Sequence, residues 1–223
     1  MRAPAGFVQT AVQRTVSGGL YFVLQGIVRD ALHMDGQVAG DPRWSFVVGL
    51  VAGALNGALL NPLAALKYHN WGSEFSWRGS LRDALAHGGP RVLASGMVST
   101  VLRDATFGVC YEVGRDRLRV HSEHLAWQMA SAGAAAAVAT VFSSPFNYVR
   151  SIQYAHLTDE QPRRRIVMQL GRLWANAQKE PSPLRYLGQR LRIGWGTARV
   201  ALSMALAQLI FAEIKALSVK NAT

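Results

Sequence analysis

Apolar and polar positions divide the chain into long apolar stretches separated by charged connections. Ser45–Leu66 carries no charged residue over 22 positions, and Leu125–Val149 carries none over 25. A helix needs about 20 mainly apolar residues to cross the hydrocarbon core of a bilayer. Both stretches are therefore predicted to be transmembrane helices, and the chain is predicted to be an integral membrane protein.

The same pattern predicts an all-α polytopic bundle of about five membrane helices. The predicted spans are about Val12–Leu32, Trp44–Tyr68, about Arg91–Arg119, Leu125–Tyr154 and about Arg190–Leu217. The third span is interrupted by Arg103 and Asp104, and charges at such depth face a bundle interior, a cavity or each other. Two interpretations stay open for this pair: a functional cavity, or a local ion pair in a packed core.

Two polar connections and one glycine series add detail to this bundle. Apolar residues at i, i+3 and i+4 spacing predict short amphipathic helices over Ser80–His87 and Ile166–Gln178, either in the membrane interface or as ordinary loop helices. Gly49, Gly53 and Gly57 recur every four residues, and Ala130–Ala139 is rich in alanine. Such small residues predict faces where helix backbones approach closely.

The basic excess changes the picture only through its placement. The formal net charge is +11, which is typical of proteins that bind nucleic acid or a membrane surface. Between Arg150 and Arg199 the sequence has ten Lys/Arg and three Asp/Glu. The connections Arg29–Arg43 and Glu112–His124 have nearly equal numbers of basic and acidic residues. Basic and balanced connections alternate, as they do in polytopic proteins that orient themselves by loop charge. We therefore expect membrane lipids as partners, and no nucleic acid.

Candidate catalytic chemistry is sparse. Cys110 is the single cysteine, so it forms no intrachain disulfide, and no Ser-His-Asp, paired-carboxylate or metal-ligand constellation is evident. We predict no enzyme activity, no metal and no cofactor. The N-terminus has Arg2 and Arg14 with no acid before Asp30, and it runs directly into apolar sequence, which favours a first helix over a cleaved signal.

Internal repetition is visible along the chain. Asn61–Lys67 recurs 83 residues later as Ser144–Arg150, Gly89–Gly96 parallels Pro181–Gly188, and Arg29–Leu32 resembles Arg115–Leu118. A repeat with two helices per unit predicts a membrane bundle with internal pseudo-symmetry. The chain is thus predicted to be one domain, with a partial repeat over 1–43 and further repeats over 44–122 and 123–223.

These motifs resemble the mitochondrial carrier family over nearly the whole chain. Carriers have three repeats, each with an odd helix ending in Pro-x-acid-x-x-base, a short matrix helix, and an even helix ending in aromatic-acid-x-x-base. The matching residues are the prolines Pro62 and Pro145, the Trp77-x-Gly79 start of a matrix helix, and Tyr111-Glu112-x-x-Arg115. The resemblance implies a carrier-like bundle in the mitochondrial inner membrane, with the N-terminus in the matrix and the C-terminus in the intermembrane space.

The departures from the carrier pattern concern the gates. The resemblance starts at the family's second helix, so we expect a degenerate, N-terminally truncated member that lacks the first transmembrane helix. The acids of the proline motifs are replaced by Ala64 and Asn147, while the bases Lys67 and Arg150 remain. At the opposite gate Glu112 and Arg115 survive, but the equivalents are Gln25-Gly26 with Arg29 and Phe211-Ala212 with Lys215. Because carriers close each gate with such ion pairs, these departures predict that the chain does not transport.

The resemblance also implies a bound lipid. Carriers hold cardiolipin phosphates at helix N-termini marked by aromatic-x-Gly and aromatic-base-Gly, where free amides attract an anion. The matching residues are Trp77, Arg78 and Gly79, the isolated Gly96, and Tyr186 with Gly188. A second interpretation of Trp77 and Tyr186 is an interfacial aromatic belt.

Two functions follow from these expectations. The first is a carrier-derived, non-transporting structural subunit of an inner-membrane assembly such as a respiratory complex or ATP synthase, in contact with partner subunits and cardiolipin. The alternative is an active solute carrier, completed by dimerisation or by a partner helix. Arg14, Arg103, Asp104 and Arg199 would then contact an anionic metabolite.

Overall fold

The two charge-free stretches form the longest helices of the chain. The computed structural model describes residues 7–32, 41–71, 77–89, 92–119, 124–155 and 166–220. Helix α2 spans Pro42–Trp71 and α5 spans Leu125–Ala155, with Pro62 and Pro145 inside them. Among the described residues these two helices are long and apolar enough to cross a membrane. The two predicted transmembrane helices are thus supported by length and composition.

Six further helices complete the described chain, which contains no strand in these ranges. They are α1 (Phe7–Ala31), α3 (Trp77–Gly88), α4 (Met97–Arg119), α6 (Ile166–Gln178), α7 (Pro183–Arg190) and α8 (Trp195–Lys220). The predicted all-α class is confirmed, and α6 has its predicted bounds. A third span is present if α7 and α8 up to Ile210 count as one helix bent by 49°. The structure therefore supports two or three spans by composition, against the five predicted.

Three predicted helix starts are wrong. Helix α1 begins at Phe7 instead of about Val12, and in the other two cases a left-handed residue lies where the helix was expected to continue. Helix α4 begins at Met97 instead of Arg91, because residues 92–96 form a turn in which Gly96 has a φ of 68°. The predicted helix over Arg190–Leu217 is broken before Trp195, where Arg192 and Gly194 have φ values of 56° and 118°. Left-handed residues end an α-helix, so each break follows from local backbone geometry.

The five long helices pack in chain order. Each of α1, α2, α4, α5 and α8 lies against the next, the contact between α2 and α4 being the most extensive, and a slight contact joins α1 to α8. The short helix α3 rests on α2, and α6 touches both α5 and α7. Sequential neighbours therefore form an almost complete ring, with its weakest contact between the first and last helices.

The glycine series explains the close contact of α2 and α4. A Cβ on Gly49 would overlap the backbone of Gly108, and one on Gly53 would overlap the backbone of Asp104. A Cβ on Gly57 would lie 3.0 Å from the backbone oxygen of Thr100. The prediction that this series marks a close helix approach is confirmed, because any larger side chain would force the two backbones apart.

Large apolar side chains point outward from the bundle. Val23, Phe142 and Leu202 are 59%, 61% and 62% exposed, whereas the interior holds Tyr111 and small residues such as Ala136. Exposing so many apolar side chains to water would be unfavourable, whereas exposing them to lipid tails would not. This distribution is compatible with a multi-pass membrane protein.

Candidate functional site: polar clusters inside the bundle

A buried carboxylate joins the first and fourth helices. Glu112 on α4 has no solvent exposure and accepts four hydrogen bonds. Tyr21 donates its hydroxyl at 3.2 Å, Gln25 its amide at 2.7 Å, and Arg29 and Arg115 each a guanidinium nitrogen at 3.1 Å. Three of these donors meet the single oxygen Oε2. A carboxylate saturated in this way is held by its neighbours in one position.

A second acid balances the charge of this cluster and extends it to α2. Asp116 lies 3.9 Å from Nε of Arg115, and it accepts a hydrogen bond from the hydroxyl of Ser45 on α2. Arg115 is 9% exposed in its side chain and Arg29 is 33% exposed. Two carboxylates therefore face two guanidiniums, and the group of contacts, which we name the Glu112 cluster, ties α1, α2 and α4 together.

Sequence reasoning found only part of the Glu112 cluster. The resemblance directed attention to Glu112, Arg115 and Arg29 and placed Gln25 at an equivalent gate position, but it did not find Tyr21 or the contact of Gln25 with Glu112. Tyr21, Gln25 and Arg29 follow one another at intervals of four residues, so they lie on one face of α1. That spacing is the signal that could have found them.

A second buried cluster lies where the repeated proline motif begins. Asn61 has no solvent exposure, and its amide nitrogen donates to the carbonyls of Leu93 and Ser95 at 2.8 and 3.1 Å. Its amide oxygen accepts the hydroxyl of Tyr154 at 2.7 Å, and that hydroxyl lies 3.0 Å from Oγ1 of Thr100. This Asn61 cluster fixes the turn before α4 to α2 and α5. Sequence reasoning assigned no contact to Asn61 or Tyr154.

The same tyrosine explains Gly96, one of the predicted lipid residues. A Cβ on Gly96 would lie 2.8 Å from a ring carbon of Tyr154, and the φ of 68° at this position also favours glycine. The ring of Tyr154 occupies the space beside the glycine. Close contact with a side chain therefore accounts for Gly96 without a lipid.

At the predicted matrix gate, amide and apolar groups stand where the resemblance implies acids. Ala64 is 2% exposed and packs with Ala65 and Tyr154. Arg150 is buried, donates to the amide oxygen of Asn147 at 3.0 Å, and lies 5.6 Å from the ring centroid of Tyr154. Lys67 is buried as well. Arg150 is thus held by a neutral amide and an aromatic face, and its Nε has no hydrogen-bond partner.

The four predicted substrate residues are not brought together by the described part of the structure. Arg103 and Asp104 form a local pair, with Nε of Arg103 donating to Oδ1 at 2.6 Å, while the buried Oδ2 has no hydrogen-bond partner. Both act electrostatically on Arg150. Arg199 is exposed on α8. The side chain of Arg14 lies outside the described residues.

The other predicted lipid residues are divided between α3 and α7. Helix α3 begins at Trp77, as predicted, with Gly79 in its first turn. The side chains of Trp77 and Arg78 lie outside the described residues. Tyr186 and Gly188 were expected at a helix N-terminus, and this is wrong, because both lie within α7. The amide of Tyr186 already donates to the carbonyl of Ser182 at 3.1 Å, so it is not free to bind an anion.

Comparison of the chain with models of protein families, with curated proteins and with solved structures finds no match.

Proposed function

We propose that the chain is a carrier-derived structural subunit of an inner mitochondrial membrane complex, such as a respiratory complex or ATP synthase, and that it does not transport. The observation that carries this proposal is the contact between Arg150 and Asn147. In the carrier pattern a carboxylate occupies the position of Asn147 and that of Ala64, and ion pairs between helices close the gate.

An amide cannot replace that carboxylate energetically. Arg150 is buried, and its hydrogen-bond partner on α5 is the neutral amide of Asn147. An ion pair that forms in one state and breaks in the other therefore cannot form at this position. Alternating access needs two closed states of similar free energy, and ion pairs that form in one state and break in the other supply the balance. Ala64 has no group that could form such a pair on α2. The described gate residues therefore favour a fixed bundle.

The two buried clusters support the same conclusion from the opposite direction. The Glu112 cluster joins α1, α2 and α4, and the Asn61 cluster joins α2, α5 and the turn before α4. Breaking either one would leave buried polar groups without partners, at a cost of about 1–3 kcal/mol for each group and more for a charged one. Helices tied at both clusters suit a static subunit better than a moving carrier.

The proposed partners are other subunits of the complex and cardiolipin. An outward apolar face of the bundle fits lipid or the transmembrane helices of partners equally well. Near the proposed matrix surface, α6 and α7 expose Trp174 and Leu184 beside Arg172 and Arg185. Exposed apolar groups next to bases fit an anionic bilayer surface.

Native electrophoresis of mild detergent extracts tests this proposal. The tagged chain is expected to comigrate with a respiratory complex or ATP synthase, and depletion of the chain is expected to lower the amount of that complex. The proposal is wrong if the chain migrates only as a free monomer while purified protein exchanges metabolites in liposomes.

One observation favours the alternative of an active carrier for an anionic metabolite. Arg103 retains 24% exposure of its side chain in the middle of α4, next to an unpaired carboxylate oxygen of Asp104. Exchange in liposomes loaded with nucleotides or carboxylates, abolished in Arg103→Gln but retained in Arg172→Gln at an exposed position of α6, would select this function over the first.

A further inference from the structure

A serine is directly followed by a proline twice in this chain, and the two pairs lie in opposite environments. Ser144 and Pro145 lie inside α5, where Ser144 is 4% exposed and its hydroxyl donates to the carbonyl of Val141 at 2.7 Å. Ser182 and Pro183 lie where the turn after α6 leads into α7, and both are exposed. Of the two pairs, the second is therefore the one that an enzyme could reach on the folded chain.

The hydroxyl of Ser182 does not hold the fold together. Serine just before a helix usually bonds through its side chain to the first amides of that helix. Ser182 directly precedes α7, but its side chain makes no such bond. Its backbone, with a φ of −132° and a ψ of 82°, also lies outside the helical conformation. The hydroxyl can therefore react without the loss of a contact that stabilises α7.

The residues that follow Ser182 favour one class of enzyme, a proline-directed protein kinase. Such kinases act on a serine that is directly followed by proline, which presents no backbone N–H donor to the enzyme. Many of them also prefer a base three residues after the serine. Pro183 and Arg185 occupy these two positions, and both are exposed.

The first turn of α7 can open to let a kinase bind, because little holds it closed. Protein kinases bind the residues around the acceptor in an extended conformation, so Pro183 to Arg185 must leave the helix. Helix α7 has eight residues, and none of them is buried. Helices shorter than about 12–15 residues are only marginally stable by themselves. Leu184 in this turn is 85% exposed, so its opening breaks almost no apolar packing.

We infer that Ser182 is a phosphorylation site and that its phosphate pairs with Arg185. Oγ of Ser182 attacks the γ-phosphorus of ATP and forms the new P–O bond, while the bond from that phosphorus to the bridging oxygen breaks. ADP leaves, and the hydroxyl proton passes to a base of the kinase. The phosphate carries about two negative charges at neutral pH. A side chain three residues into a helix can reach back to the residue before the helix, so Arg185 can contact this phosphate.

The site does not depend on the proposed role as a structural subunit. Ser182 is exposed in the turn between two short helices, away from the buried clusters that join the long helices. A static chain and a transporting one would present the same serine to a kinase.

Mass spectrometry of the full chain tests the inference in two arms. In the first arm the chain is isolated, with phosphatases inhibited, from the cells that produce it. In the second arm the purified chain, in an uncharged detergent, is incubated with ATP and an extract of those cells. Trypsin cleaves after Lys179 and Arg185, and the peptide 180–185 carries Ser182 as its only hydroxyl side chain. A gain of one phosphoryl group on this peptide therefore identifies the site.

Variants of the chain show whether the surrounding residues direct the reaction. Arg185→Gln should lower the initial rate of phosphorylation at Ser182 about tenfold, since one charge-assisted contact with the kinase is lost. Its tryptic peptide extends to Arg190, and fragmentation separates Ser182 from Tyr186. Pro183→Ala should lower the rate at least as much, and Ser182→Ala should abolish the modification. Arg172→Gln, at an exposed position of α6, is the matched control and should react at the rate of the parent chain.

Hydrogen exchange measures the pairing of the phosphate with Arg185. The amides of α7 should exchange severalfold more slowly in the phosphorylated chain than in the unmodified one, because an added contact holds the first turn closed. This slowing should be lost in phosphorylated Arg185→Gln and retained in phosphorylated Arg172→Gln.

The inference is overturned if the peptide 180–185 is recovered only without phosphate in both arms. It is also overturned if Pro183→Ala and Arg185→Gln are phosphorylated at Ser182 as fast as the parent chain. Equal exchange of α7 with and without phosphate would refute the pairing with Arg185. None of these variants touches the gate residues, so comigration with a complex in native gels tests the structural-subunit proposal separately.

Discussion

Glu112→Gln is the substitution that best tests the Glu112 cluster, because it changes charge with almost no change in shape. Oε2 of Glu112 accepts three of the four hydrogen bonds, two of them from arginines at 3.1 Å. Glutamine puts an NH2 donor at one of the two oxygen positions and leaves Arg29 and Arg115 without a full countercharge. Gln25 also loses a charged acceptor at 2.7 Å.

The magnitude follows from burial. Removing one partner of a buried ion pair costs about 3–5 kcal/mol. Arg115 is nearly buried, but the side chain of Arg29 is 33% exposed, so solvent recovers part of its charge. We therefore expect the lower end, about 3 kcal/mol. For a chain of this size that corresponds to a fall in Tm of about 6–12 °C.

The measurement is thermal unfolding of the detergent-solubilised chain, followed by circular dichroism at 222 nm. Glu180→Gln is the matched control, since Glu180 is exposed in the turn after α6 and its substitution should move Tm by less than a degree or two. The double variant Gln25→Glu/Glu112→Gln returns a carboxylate to the cluster from α1. It should recover part of the lost stability.

A Glu112→Gln variant that unfolds within 0.5 kcal/mol of the parent protein would refute the reasoning. It would show that the two arginines do not need the carboxylate and that the cluster does not hold the helices together. A double variant less stable than the single one would show instead that the position of the charge matters more than its presence.

Three further predictions test the helix contacts. Gly53→Leu should lower Tm strongly or prevent folding, because its side chain would overlap the backbone of α4, whereas Gly26→Leu, with nothing within 4 Å, should be neutral in thermal unfolding; equal effects would contradict the close approach. Tyr154→Phe should lower the free energy of unfolding by about 1–2 kcal/mol, since it removes two buried hydrogen bonds of the Asn61 cluster. Thermal unfolding followed by circular dichroism measures this, and an unchanged Tm would mean that these hydrogen bonds do not stabilise the fold. Asn147→Asp should raise Tm by a few degrees by giving the buried Arg150 a carboxylate at hydrogen-bond distance; a lower Tm would mean that Arg150 is already compensated.

The periodicity and charge distribution of the sequence predicted the helical class and most helix positions. The charge-free stretches fixed α2 and α5 within a few residues, because a helix that crosses lipid must be apolar along its whole length. The four-residue glycine series also predicted a close helix contact correctly, since only small residues let backbones meet. The lack of charge in a stretch and the spacing of its glycines are both properties of one segment, so the sequence was enough to predict the helix and the contact.

Only the tertiary structure decided which polar groups meet. The hydrogen bond from Gln25 to Glu112 joins residues 87 positions apart, and that from Tyr154 to Asn61 joins residues 93 positions apart. A local spacing can place residues on one face of a helix, but it does not identify their partner, because the pairing depends on how two helices are rotated and shifted against each other. The break between α7 and α8 was missed for a different reason: Arg192 adopts a left-handed conformation that its residue type disfavours. The sequence thus determined the helices and their apolar surfaces, while the folded bundle determined the polar contacts that hold them together.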